Sequence, residues 1–149
     1  MPAPHPSATD RIPRMQIDPI HSPSEALVVI SRQLARPLTF ETVVLFVDSS
    51  GCGYSFSRVG GTDQPEMVVS VADTMAMLAS GRADISGLVL TSVRPGGGVL
   101  PDDDTLWFEA DEIVGDHGLV LYDWLVVGRG GTRSLGDELG VPSRWPSRT

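Results

Sequence analysis

The chain has 149 residues, 41% of them hydrophobic and 20% charged, which suits one globular domain with a buried core and excludes a wholly disordered or fibrous protein. A formal net charge of -8 argues against tight non-specific binding to nucleic acid or anionic membrane, because both need excess positive charge. No apolar run approaches the roughly 18 to 20 residues that span a bilayer, and the single cysteine, Cys52, excludes an internal disulfide and a multi-cysteine zinc site.

Residues 1–21 carry Pro2, Pro4, Pro6, Pro13 and Pro19 and no sustained apolar period, so a flexible leader is expected there. It lacks the apolar block of a signal peptide, and a cytoplasmic location is expected. Every basic side chain is Arg, with no Lys and no Asn, a bias that points to a GC-rich genome rather than to function. Order should begin at Ser22-Pro23-Ser24-Glu25, a capping sequence, and Ala26, Leu27, Ile30 and Leu34 predict a helix to about Arg36. The β-branched run Glu41 to Asp48 reads as a buried strand, residues 49–53 as a hairpin turn and Tyr54 to Val59 as the return strand.

A polar loop and a short run at Met67 to Val69 lead to a second helix, from Ser70 to about Ser80, stopped by Gly81. Ile85 to Val93 is another buried strand, and the Pro- and Gly-bearing residues 94–101 form a loop. Asp102, Asp103 and Asp104 offer three carboxylates to the positive end of a third helix reaching about Val114. Leu119 to Val127 is the last strand, the chain leaves the sheet at residues 128–131, and an amphipathic turn spans Ser134 to Leu139. Interleaved helices and strands with an early hairpin predict an α/β sandwich with a mixed sheet.

Four blocks then carry a family pattern: Glu41 to Asp48 with its turn; Gly61-Thr62; Leu88 to Gly97; and Leu121 to Gly128. In their order and spacing the chain from Ser22 to Gly128 resembles the RadC-type JAB domain, a bacterial branch of the JAMM/MPN metalloprotease-like fold. The resemblance implies a three-layer, cytidine-deaminase-like α/β fold whose curved mixed β-sheet is flanked by helices. It divides the chain into a leader, 1–21, a domain, 22–128, and a C-terminal tail, 129–149. It also implies a zinc site, in which His-x-His-Pro-x-Gly supplies two imidazoles and a later Asp completes the set.

Here that motif is Ser92-Val93-Arg94-Pro95-Gly96-Gly97, so both histidines are absent. A serine hydroxyl is a poor zinc ligand, and a guanidinium repels the cation it would have to bind. The ligand Asp falls on Thr105 by strict counting, or on Asp104 or Asp103 if the loop is one or two residues shorter. Glu41 stands where a carboxylate often precedes the strand in RadC-like sequences. The pocket is therefore expected to be vestigial, with Glu41, Ser92, Arg94, Asp103 and Asp104 as its residues, no bound metal and no catalytic group. Arg94 either bonds Asp103 or Asp104, with Glu41 as a further partner, or points to solvent.

Other constellations carry less. His5, His21 and His117 share no metal-ligand spacing, and Asp102 to Asp104 suit a hard cation less well than ordinary helix capping. Ser92, Asp123 and His117 lack a nucleophile elbow, Cys52 lacks a base to activate it, and the glycines at 96–98 are a structural connection before they are an anion cradle. Trp107, Phe108 and Trp124 belong with the core, and Glu109, Asp111, Glu112 and Asp116 form a solvated acidic face that would discourage DNA. The tail arginines Arg129, Arg133, Arg144 and Arg148 are the local basic excess and a candidate partner contact. The resemblance does not extend to the helix-hairpin-helix-type region of full-length RadC proteins, so a DNA-repair role is not expected. The expected function is a catalytically inactive pseudoenzyme acting by protein binding. The alternative is a zinc-dependent JAMM-type peptidase with non-standard ligands.

Overall fold

The computed structural model describes residues 12–147. Five strands form one mixed sheet in the order β2-β1-β3-β4-β5, with β1 at Glu41–Asp48, β2 at Gly53–Gly60, β3 at Ile85–Arg94, β4 at Val120–Gly128 and β5 at Gly131–Ser134. β1 lies antiparallel to both β2 and β3, β3 and β4 are parallel, and β5 returns antiparallel to β4. The helices are α1 (Pro23–Ser31), α2 (Pro65–Ser80), α3 (Asp103–Asp116) and the single turn α4 (Leu135–Glu138). This is the expected α/β architecture with a mixed sheet.

β1 is buried along nearly its whole length because helices cover both faces of the sheet, so its two alternating side-chain sets both sit in apolar surroundings. Val44 and Phe46 join Leu88, Leu90, Trp124 and Val126 under α2 and α3. Val43, Leu45 and Val47 join Val89, Val93 and Leu125 under α1. The connection from β3 through α3 to the parallel β4 places α3 against α2 on the first of these faces.

At α1 Ser22 Oγ accepts from the Glu25 amide at 3.2 Å, as the capping sequence predicts, while Glu25 Oε1 accepts from the His21 amide at 3.0 Å, one residue before the cap. The helix stops at Ser31 rather than near Arg36. Tighter turns follow, with the Gln33 amide on the Ile30 carbonyl, and the Ala35 amide donates to Glu41 Oε2 at 2.9 Å, which turns the chain toward β1. Conversely, α2 begins five residues early, at Pro65. Proline fits the first helical position, and Val68, Val71, Ala72, Ala76 and Ala79 form one buried stripe, so Met67 to Val69 is part of the helix rather than a separate run before it.

Two further expectations change. The chain does not leave the sheet at residues 128–131, because Arg129-Gly130 is a two-residue turn and Gly128 pairs with Gly131 to start β5. Of the segment read as a leader, residues 1–11 lie outside the described residues, while Ile20 is fully buried, Pro19 bridges to Cys52 and the Gln16 amide donates to the Gly53 carbonyl. The tail also packs: Trp145 is buried and stacks on Tyr122 with ring centroids 4.8 Å apart. Trp107 and Trp124 are core residues as expected, whereas Phe108 is exposed. No helix among the described residues is long and apolar enough to cross a membrane.

At the carboxyl ends of β3 and β4 the backbones nearly touch. A Cβ on Gly128 would stand 1.9 Å from the Gly97 carbonyl oxygen and 2.9 Å from that of Arg94, so glycine is required there by space. Gly130, one turn residue away, faces nothing within 4 Å. Gly128→Ala is expected to lose roughly 2–4 kcal/mol in urea unfolding, and Gly130→Ala to stay within about 0.5 kcal/mol of the parent.

Candidate functional site

Ser92 and Arg94 lie two residues apart on β3 and therefore project from the same face, the one covered by α2 and α3. β3 runs one residue further than expected, so Arg94 is its last residue and not part of the loop. Its guanidinium is buried and meets Asp103, the first residue of α3, through two parallel contacts: Nη1 to Oδ2 at 2.6 Å and Nη2 to Oδ1 at 2.8 Å. This is the bidentate fork that Arg and carboxylate form best. Nη1 also donates to the Gly98 carbonyl at 2.9 Å, and Asp103 Oδ2 accepts from the Leu100 amide at 2.6 Å.

One ion pair thus ties the strand end, the glycine loop and the helix start together. It settles the choice among Arg94's partners in favour of Asp103. Asp104 is exposed and accepts from the Thr105 amide, and Asp102 makes no side-chain capping bond. Because Gly98 is held through its carbonyl and the Gly97 amide donates to the Arg94 carbonyl, the loop is shaped by Arg94 itself.

Glu41 does not belong to this cluster. It pairs in register with Val93, and Val93 packs on the α1 face, opposite to Ser92 and Arg94. There Glu41 is buried, with Oε1 2.8 Å from Arg58 Nε and Oε2 on the Ala35 amide. Arg58 went unread in the sequence. Its position opposite Val43 on β2 is what brings it to Glu41, and only the strand register discloses that.

Ser92 Oγ accepts from Trp124 Nε1 at 2.8 Å, which occupies the hydroxyl with a core bond across to β4. Asp123 accepts from the Ser134 hydroxyl and from the amides of Trp124 and Gly136, so its carboxylate anchors the start of α4. His117 meets Asp73 at 2.8 Å, and His21 Nδ1 lies 2.8 Å from the Pro146 carbonyl oxygen. Ser92, Asp123 and His117 each have a different partner and form no triad. Cys52 is buried, and desolvation raises its thiol pKa, the opposite of activation.

The donor set does not fit zinc. Asp103 is saturated by Arg94 and Leu100, Ser92 is engaged by an indole, and among the described residues no group of three or more His, Cys, Asp or Glu side chains could hold a metal ion. Of the tail arginines, Arg133 pairs with Glu138, while Arg144 forks onto Asp111 and lies over the Trp107 ring, making it a structural clasp. Arg148 lies outside the described residues.

Two outcomes follow. Leaving one member of a buried pair unanswered costs about 3–5 kcal/mol, so Arg94→Met or Asp103→Leu alone should destabilise strongly in denaturant unfolding, and Arg94→Met with Asp103→Leu should recover much of the loss. Burial raises the Asp123 pKa despite its three donors. A carboxyl raised in the folded state is easier to protonate there than in the unfolded chain, so its contribution to stability falls as pH rises from the ordinary carboxylate pKa through the raised one. Melting temperatures between acidic and neutral pH should therefore show Asp123→Asn gaining on the parent as pH increases.

No protein-family model and no curated protein matches the chain.

Proposed function

We propose that the chain is a RadC-like JAB domain, of the JAMM/MPN and cytidine-deaminase-like kind, that has lost metal chemistry and acts by binding protein partners. The reading is supported by the four sequence blocks and by the five-strand mixed sheet with helices on both faces. What carries it is the Arg94–Asp103 fork. A position that the resemblance assigns to a zinc-binding imidazole, and one of the three it offers for the ligand Asp, instead hold a cation and its counter-charge, buried and hydrogen-bonded to each other.

The physical substitution is self-consistent. A zinc ion would join the strand end and helix start by coordinating both; a guanidinium with five donors joins them by hydrogen bonds and supplies the same sign of charge. It supplies no Lewis acid and no activated water, so the pocket keeps its organising role without the means to attack an amide. Glu41, on the other face of the sheet, is not within reach of a reaction centre at Arg94. A cytoplasmic location accords with a lone buried thiol.

Metal content of chain purified without chelator or metal-affinity contact tests the reading. The expected result is zinc far below one equivalent, with a melting temperature unchanged by added zinc. Close to one tightly held zinc per chain would overturn it in favour of a metallohydrolase, and peptidase assays would then be directed at residues 92–104.

A further inference from the structure

On the α1 face, away from the Arg94 pocket, the segment before α1 arches over the sheet and leaves a groove of about 350 Å³ between itself, α1 and β2. Its apolar walls are Ile12, Met15, Val29 and Phe56, and Arg14 and Arg32 stand beside them. Arg14 is committed to Asp18, but Arg32 forms no ion pair among the described residues. Arg58 follows Phe56 by two residues on β2, faces the same side and is half exposed beyond its contact with Glu41.

Beside this groove runs the outer edge of β2, the end strand of the sheet. Gln16 covers its beginning, through its amide to the Gly53 carbonyl and its side chain to the Tyr54 carbonyl at 3.2 Å. From Ser55 to Val59 the main chain pairs with β1 alone among the described residues. That stretch has no proline, and its one charged residue, Arg58, is on the groove side and held by Glu41, so past Gln16 a single charge is the device that blunts this edge among the described residues.

We infer that β2 and the adjoining groove bind an extended acidic peptide of a partner protein, added as a sixth strand. Main-chain bonds to Ser55–Val59 would hold it, an apolar side chain would enter between Ile12, Met15 and Phe56, and carboxylates on the same side would meet Arg32 and Arg58. Charge complementarity chooses the partner: Arg32 is exposed at the groove with no ion pair among the described residues, and Arg58 is half exposed beyond Glu41, on a chain of net charge -8, so an acidic strand is attracted locally where a basic one is repelled. The inference rests on the part of the proposed function that takes the protein to act by binding. It is separate from the metal question, since zinc at Arg94 would defeat the pseudoenzyme reading without altering this groove.

The test uses the full chain and a fluorescein-labelled octapeptide alternating Glu with Val, with its Lys–Val counterpart as control. Anisotropy should rise on titration with the Glu–Val peptide only, and amide shifts in ¹H–¹⁵N spectra should concentrate at residues 55–59. Arg32→Glu, an exposed change, should keep the folded spectrum and weaken binding about tenfold or more. No Glu–Val binding to folded protein, equal binding of the Lys–Val peptide, or unchanged affinity in Arg32→Glu would overturn the inference. So would a stable homodimer with β2 amides at its interface, because a second copy would then be the strand that covers the edge.

Discussion

A guanidinium buried at the end of a β-strand has to be answered, and the neighbourhood of Arg94 is organised by that requirement. Removing the charge from water carries a penalty of several kcal/mol, and only a well-aligned counter-charge with its remaining bonds satisfied offsets it. Asp103 provides the counter-charge, Gly98 takes a further donor and Leu100 fills a remaining acceptor. Residues 94–103 therefore close into a loop whose two ends are one ion pair. Its glycines let the loop pass against Gly128, where a side chain would strike the Gly97 carbonyl. A buried pair is weak evidence for net stability, since a well-packed apolar pair can do as well. Its contribution is better understood as fixing where α3 starts relative to β3, which a looser apolar contact would leave less determined.

The architecture was legible wherever one residue pattern had one physical outcome. The run Thr42-Val43-Val44-Leu45-Phe46-Val47 could only be a strand covered on both faces, and the Ser22-Pro23-x-Glu25 start could only be a helix cap. Patterns with two outcomes were decided elsewhere. Met67 to Val69 has strand-like composition, but Val68 continues the stripe of Val71, Ala72 and Ala76 that packs beneath α3. Pro19 and Ile20 sit in a proline-rich segment whose composition suggests disorder, yet Ile20 fills a site beside Val43 and Leu45 that local composition does not reveal. Gly128 to Gly131 reads as an exit, and becomes a hairpin because the sheet offers the free edge of β4.

The same distinction explains the site. Side-chain alternation places Ser92 and Arg94 together from sequence, and spacing brings Asp103 or Asp104 within reach. Choosing between the two needed the helix start, since the first residue of α3 points back at the loop while the second faces solvent. Glu41 could not be placed in the same way. Which face it takes relative to Arg94 depends on the β1–β3 register, and pairing with Val93 sends it to the opposite side. A carboxylate and an arginine at adjacent strand ends are thus neighbours in the ladder without being neighbours in chemistry.

The sheet therefore separates two charge systems. On the α2 and α3 face the charges are internal: Arg94 and Asp103 neutralise each other out of solvent, with three of the guanidinium's donors spent on Asp103 and Gly98. On the α1 face Glu41 is neutralised by Arg58, but Arg32 keeps a positive charge with no ion pair among the described residues, beside apolar groove walls and the edge strand β2. Fully satisfied buried polar groups specify a fold, whereas incompletely answered exposed ones have free energy to gain from a partner. By that criterion the face the family resemblance highlights is the structural one, and the face that retains capacity for recognition lies on the other side of β1.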